Sequence, residues 1–534
     1  MDSGSGDNID AVDDAGDSAM ALAVLDMGQA ESQPCCSSAE KLEIEQVASQ
    51  AEGIQNACPE SKNTVEDPIS SRFTDKDLMR TNTSLLRGVP LHTTLRHWRR
   101  VWRRSPSELT MSQRAEVFEY SRQTEELDMF ISHTWQTPGW RKFFSLLIRS
   151  GWRCMLTFWA VGTGLAFLLC CLDVLPLFYS SRAAIFQFQS VIPMGCWATL
   201  TGLVSGIGGL LLSVYLPIDN SSCFLDVACI PQTDDVLMRQ GIYNIGGCLA
   251  VSRTLHVLWS PPFFSRLWCM FELSAYRKMN PTGRIVFAPI YIEAFSAQVF
   301  IWLHLVGLMM VFFRASYDEG GVGVLAMWVF VAMCLFPLAL SLRANSLDRQ
   351  RMLAALDQFE VREVQCLNDF DRNYIHTAIV SWYGSLDAFS DYVRGPFRQE
   401  VQVPLQLPYA YHCVLATPFF ATSLDFVVGL LKAGAPIESV LAYTVSVLVG
   451  LNLLWTPAAL ALLVFACEHL PEHSFKGSRY LQTLAISLAM WLLYVIGLTC
   501  SVGSYVLFSS FWPVLVWTAG ALLFASVVWR FCWW

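Results

Sequence analysis

The sequence predicts an α-helical multi-pass membrane protein of about eight spans that carries an α/β domain with a parallel sheet on its cytosolic side. Three observations predict it. The 534-residue chain is 54% hydrophobic and only 15% charged, with 19 Trp and 34 Phe, against roughly 25% charge in soluble domains. Short apolar runs rich in Val, Ile and Phe alternate with stretches of helical period, as buried parallel strands do. Apolar stretches of about 20 residues, long enough for a hydrocarbon core of about 30 Å, interrupt those runs and then follow them.

Taken in order, residues 1–80 read as an acidic, disordered tail. The first 70 carry 15 Asp or Glu against two Lys, a charge of −13, which leaves +4 on the rest of a chain of net charge −9. Such a composition buries too little apolar surface to fold, and it lacks the charged-then-apolar order of a secretory signal. Residues 95–114 form a basic amphipathic segment. Its start, LRHWRRVWRR, sets Leu95, Trp98, Val101 and Trp102 on one helical face and Arg96, Arg99, Arg100, Arg103 and Arg104 mainly on the other. An interfacial helix has this pattern, and anionic lipid attracts it by about 1 kcal/mol per basic residue. A solvated basic helix or a site for a partner protein fits it too.

The α/β domain is split. Strands are expected at 127–132, 223–227, 255–259 and 285–292, so the domain covers 127–150 and 219–292. Between its first two strands lie spans at 152–172 and 191–216, an inserted transmembrane hairpin. Further spans at 294–313, 322–342, 411–431, 440–467, 481–501 and 510–530 make three more hairpins. Residues 343–408 between them form a cytosolic helical insert. There Leu347, Leu353, Leu356, Phe359 and Val364 recur at roughly helical spacing, and a second helix carries Ile375, Ile379 and Trp382. The insert holds seven Arg, and 219–293 hold six Arg or Lys. The loops on the other side hold only Arg182, Arg314 and Lys432. The positive-inside bias therefore puts the sheet, the insert and both termini in the cytosol. The 17 Cys follow neither a disulfide framework nor a zinc spacing and read as reduced packing thiols.

Four motifs fall on this split domain: FISHTW (130–135), FLD (224–226), LWSP (258–261) and RLWCMFEL (266–273). In this order they resemble the TIR domain, particularly its divergent forms in algal and other protist proteins, over about 127–292 without the hairpin. Much of the remaining chain, including DRNYIHTAIVSWYGS (371–385), is similar to an uncharacterised family of multi-spanning algal membrane proteins. The resemblance implies a flavodoxin-like parallel sheet. It also implies signalling by self-association, or cleavage of the nicotinamide glycosidic bond of NAD, with NAD as substrate and no cofactor required.

In enzymatic members a Glu lies in the helix after the third strand, and Glu272 matches it. A carboxylate there orients ribose hydroxyls and stabilises an oxocarbenium-like centre. Ser132, His133, Thr134, the 228–236 loop and Ser260 should gather at the carboxyl ends of the strands, where open parallel sheets bind ligands. Trp268 lies four residues before Glu272, on the same helical face. The residues alone also fit a plainer reading, in which Glu272 is a solvated helix carboxylate, Trp268 a core anchor and His133 a loop residue bonded to backbone. The pattern departs from the family in lacking a glycine after the second strand, where Pro231 stands, and in having no fifth strand before the third span.

Transport or conduction is the alternative, because eight spans exceed what an anchor needs; His304 and Asp425 are the ionisable residues inside spans. Asp425 also reads as a hydrogen-bond partner for a neighbouring Ser, Thr or Tyr. Gly202, Gly206, Gly208 and Gly209 read as a helix-packing face. No nucleic acid is expected as a partner.

Overall fold

The computed structural model describes residues 83–102, 108–216, 220–315, 322–366, 368–402, 409–469 and 476–533. Eight strands occur among them: β1 (Arg87–Pro90), β2 (Arg122–Gln123), β3 (Leu127–Ser132), β4 (Tyr179–Ile185), β5 (Phe188–Met194), β6 (Ser222–Phe224), β7 (Ser252–Trp259) and β8 (Arg284–Pro289). The principal helices are α1 (Gly139–Cys171), α2 (Trp197–Leu212), α3 (Asp235–Tyr243), α4 (Leu267–Met279), α5 (Ile290–Ala315), α6 (Val322–Asp357) and α7 (Asp369–Tyr383). After them come α8 (Tyr409–Lys432), α9 (Ile437–His469), α10 (Lys476–Val506) and α11 (Trp512–Trp533).

Six strands form one sheet in the order β2-β1-β6-β3-β7-β8. The four at β6, β3, β7 and β8 are parallel. Five of the six residues of β3 are buried, as a central strand covered on both faces requires. Phe130 and Phe224 lie side by side in register between β3 and β6, with their rings stacked at 4.7 Å. The sheet is mixed rather than purely parallel, because β1 pairs antiparallel with β6 and with β2. β1 is only four residues, RGVP, and its Pro90 has no N–H to give a ladder, so it carries none of the alternation that marks a strand in sequence.

Parallel neighbours need a crossover, and the one from β3 to β6 is unusual. α1 is continuous from the sheet into the apolar stretch, with Val161, Leu165 and Leu168 exposed. It is followed by the β4–β5 hairpin and by α2. The expectation of a second span over 191–216 is corrected here. Residues 188–194 are strand, and α2 has 16 residues, a length of about 24 Å at 1.5 Å per residue, short of a hydrocarbon core of about 30 Å. The apolar composition of 191–216 hides this change, because Val191 and Ile192 suit a strand as well as a span. The hairpin turn places Phe186 at φ 53°, and its N–H donates to the Tyr505 carbonyl at 2.7 Å, docking the hairpin on α10.

Among the described residues, seven helices are long and apolar enough to cross a membrane: α1, α5, α6 and α8 to α11. The chain thus combines a multi-pass set of apolar helices with an α/β domain. α5 starts at the residue after β8, with no linker. α2 packs on α1 through Gly202 and Gly209, while Gly206 faces Phe300 of α5; an added Cβ at Gly209 would lie 2.6 Å from Phe158 Cβ and 2.9 Å from the Cys154 carbonyl. Small residues let the backbones approach this closely.

The basic segment differs from a single amphipathic helix. It forms two short helices, Leu91–Arg96 and Trp98–Val101, broken at His97. Its apolar residues do not face outward: Leu95, Val101 and Trp102 are buried in the domain core and Trp98 stacks on Phe143 at 5.2 Å. Tertiary burial takes the face that an interfacial helix would insert. Arg100 is paired with Glu116, Arg96 lies over the Tyr215 ring at 5.1 Å, and Arg103 and Arg104 lie outside the described residues. In the insert, Ile375, Ile379 and Trp382 of α7 are buried in the same core as the sheet. α7 is held against α4 by hydrogen bonds from Lys278 Nζ to the Trp382 carbonyl (2.8 Å) and from the Tyr383 hydroxyl to the Ser274 carbonyl (3.2 Å).

Candidate functional site

The carboxyl ends of β3 and β7 lie next to each other, and the loop after β3 returns across both. Ser132, the last residue of β3, donates its hydroxyl to Glu272 Oε2 on α4 at 2.5 Å. Five residues later, the Thr137 and Ser260 hydroxyls meet at 2.5 Å, which fastens the 133–138 loop to the end of β7. Lys142, buried in the first turn of α1, donates to the Thr134 carbonyl at 3.1 Å, and its ammonium lies 4.3 Å from the Trp135 ring centre. Trp135 Nε1 donates to Asp226 Oδ2 at 2.7 Å, joining this loop to the end of β6.

These contacts bring Ser132 and Glu272 together, with Thr134 and Ser260 a loop's width away. His133 is placed differently. Its ring packs edge-on against Trp135 and Trp102, at 4.7 and 5.5 Å, and its Nε2 is buried with no hydrogen-bond partner. Burial, reinforced by the Lys142 charge, holds the imidazole well below its ordinary 6.5, so it is neutral at pH 7. Trp268 turns toward the insert. Its Nε1 donates to Asp371 Oδ2 at 3.3 Å and its ring packs on Phe271, so it connects α4 to α7 rather than lining the Ser132 side.

Glu272 is half-buried by surface area, yet its carboxyl is densely enclosed. Burial pushes it from the ordinary 4.5 up to about 8; the Ser132 hydroxyl opposes the rise and the neighbouring Asp226 carboxylate adds to it. Asp226 is itself raised by burial, against the pull of the Trp135 N–H, the Val227 N–H and Lys142. Cys269, which donates to the His133 carbonyl at 3.5 Å, is raised well above the usual thiol range by burial and then by Glu272. The cluster thus holds two carboxyls, one mostly protonated at pH 7, beside a buried ammonium. Proton transfer at Glu272 and stabilisation of a cationic centre after its ionisation are the chemistries this set supports. Ser132, Thr134 and Ser260 are 1–3% exposed, so a dinucleotide reaches Glu272 only if the surrounding loops move.

Sequence reasoning passed over Asp226, Trp135, Lys142 and Cys269. Asp226 stands inside the FLD motif and was legible as an acid at the end of a buried strand. Lys142 gave no signal, because a Lys in the first turn of a helix ordinarily reads as solvated.

The ionisable residues of the spans have structural partners. Asp425 in α8 accepts hydrogen bonds from the Ala198 N–H (2.8 Å), the Thr199 N–H (3.0 Å) and the Thr199 hydroxyl (2.7 Å). It caps the amino end of α2 from another helix, in the Ser/Thr partnership weighed above. His304 Nδ1 is 2.9 Å from the Phe300 carbonyl within α5. No protein-family model, no curated protein and no solved structure matches this chain.

Proposed function

We propose that this integral membrane protein presents a cytosolic TIR-like domain that signals by assembly and cleaves NAD at Glu272. The observation that carries the reading is the Ser132–Glu272 hydrogen bond at the carboxyl ends of a sheet ordered β6-β3-β7-β8. Numbered within the parallel set, that order is 2-1-3-4, the flavodoxin-like arrangement without its last strand, and the site lies at the switch point between its first and third strands. In the reaction the bond from ribose C1′ to the pyridinium nitrogen breaks, and its electron pair neutralises that nitrogen. Water then adds at C1′ and loses a proton. Glu272, once ionised, faces the cationic sugar, and the positive pyridinium of bound NAD favours that ionised form.

The basic insert and the basic 219–293 region support the placement of this domain in the cytosol. Val236 and Leu237 at the start of α3 are 65% and 40% exposed, which supports self-association through the loop after the second parallel strand. Anionic lipid, drawn to the basic run Arg96, Arg99, Arg100, Arg103 and Arg104, completes the set of partners.

The test is NAD consumption by the full chain in lipid nanodiscs. Glu272→Gln is expected to lower the rate by at least about 100-fold, and Val236→Asp with Leu237→Asp to lower both oligomer size and rate. Equal turnover by wild type and Glu272→Gln overturns the enzymatic reading, and an unchanged oligomer overturns the assembly surface. A channel or transporter regulated by the domain is the second reading. It is favoured by a cavity of about 300 Å3 among the spans, lined by Thr422, Ser423, Asn452 and Tyr494 beside the π-helical segment Thr444–Trp455. Solute or ion flux through proteoliposomes, abolished by Asn452→Leu, is its test.

A further inference from the structure

Where α1 leaves the sheet for the apolar helices, a cavity of about 410 Å3 opens between the Leu91–Arg96 helix, α1 and the end of α2. Arg149 and Arg153 line it one helical turn apart, with His92 beside them; the Ser150 and Ser213 hydroxyls in its wall donate to the Leu146 and Leu210 carbonyls, and none of the lining side chains is acidic. Arg149 is anchored from behind. Its Nη1 lies 3.2 Å from Glu293 Oε1, and Glu293, 1% exposed, also accepts from the Ser145 hydroxyl at 3.1 Å. That ion pair fixes the Arg149 side chain and neutralises one charge. Arg153 is exposed and has no carboxylate partner among the described residues; its guanidinium lies 5.5 Å from the Trp152 ring centre.

The position of this basic cavity decides its ligand. Leu211 and Leu212, the two residues before Ser213, are exposed, and exposed apolar side chains continue down the pair through Val204 on α2 and Val161, Leu165 and Leu168 on α1. A basic pocket is thus set at the rim of a surface suited to acyl chains. Tryptophan and arginine are the side chains that hold such an interface. Arginine matches phosphate oxygens with two parallel N–H donors.

We propose that the cavity binds the phosphate of an anionic phospholipid headgroup, with the acyl chains lying along the exposed leucines of α2. The site is separate from the arginines of the 95–104 segment and does not depend on NAD cleavage. Thermal unfolding of the full chain in a mild non-ionic detergent tests it, with short-chain phosphatidylserine, phosphatidylcholine of the same chain length or inorganic phosphate added. Phosphatidylserine, of net negative charge, is expected to raise the Tm saturably, and phosphatidylcholine, whose choline offsets the same phosphate, to raise it less; an equal shift with phosphatidylcholine overturns the assignment to an anionic lipid. Arg153→Gln is expected to weaken the apparent affinity about tenfold, the loss of one charge-assisted hydrogen bond. Arg182→Gln, on the opposite loop set, serves as the charge control and should bind as wild type does. An equal shift with inorganic phosphate overturns the lipid assignment in favour of a free anion. Unchanged affinity in Arg153→Gln, or equal loss in Arg182→Gln, overturns the site. Because Arg153 is exposed and unpaired, its replacement leaves the fold intact.

Discussion

Replacing Glu272 by Gln removes an ionisable group while keeping an oxygen for the Ser132 hydroxyl, so it isolates the free energy of holding that carboxyl in its enclosed place. In the unfolded chain the group ionises near 4.5, and in the folded protein near 8. Below pH 4.5 both states bind the proton and the group has no effect on stability. Between 4.5 and 8 only the folded state keeps the proton, and the ionised unfolded chain gains by about 1.4 kcal/mol for each pH unit. Wild type therefore loses stability as pH rises through this window. The loss relative to Glu272→Gln is on the order of 3 kcal/mol at pH 7 and flattens above pH 8. Thermal unfolding of both proteins in nanodiscs at pH 4.5, 7 and 8.5 reads this directly. The expected curves coincide at the lowest pH and separate upward, with the variant the more stable. A separation that does not change with pH, or a variant less stable at pH 8.5, refutes the account of an enclosed carboxyl. A gain in stability together with loss of NAD cleavage would be the exchange expected of a functional group held in an unfavourable place.

Two further predictions concern how the inserted helices are held. Gly209→Ala is expected to destabilise the chain by about 1–3 kcal/mol, since its Cβ meets the Cys154 carbonyl, whereas Gly208→Ala has open space and should be neutral or stabilising by up to about 1 kcal/mol. Equal melting temperatures for the two variants would contradict the packing of α2 on α1 through this face. Asp425→Leu leaves two backbone N–H groups and a hydroxyl without an acceptor, and each is expected to cost about 1–3 kcal/mol, with Asp425→Asn costing less. Melting of the leucine variant at the wild-type temperature would remove the capping role.

The parts of this fold that were legible in sequence are those where burial is continuous. Leu127–Ser132 and the end of β7 are apolar on both faces and can be little else than central strands. The spans announce themselves by length. What stayed hidden shares a cause: a second structural rule masked by composition. The β4–β5 hairpin is amphipathic at period two, with Tyr179, Ala183 and Ile185 buried, but its second strand runs into apolar residues that extend the apparent span. The basic segment shows helical amphipathicity, yet its apolar face is consumed by the domain, an outcome decided by contacts far along the chain. At the site, motif order pointed to Ser132 and Glu272. The Trp135–Asp226 and Lys142–Thr134 hydrogen bonds were not legible, because each joins groups whose types are ordinary at their own positions and become unusual only when brought together and buried.

The insertion of two apolar helices into the first crossover has a mechanical consequence. Six residues, 133–138, separate β3 from a single helix of 33 residues, about 50 Å at 1.5 Å per residue. Three of those six are tied to the groups around Glu272: His133 through Cys269, Thr134 through Lys142 and Thr137 through Ser260. The same helix carries Arg149 and Arg153 at the basic cavity, and Gly162 against Ser205 deeper among the apolar helices. Lys142 and the Thr134 carbonyl are therefore the first contacts between this helix and the groups around Glu272. An ordinary soluble crossover helix ends at the domain surface and has nothing beyond it to respond to. Here the near end of the rod closes over Ser132 and Glu272, the basic cavity lies along its first half, and the contacts with α2 continue beyond.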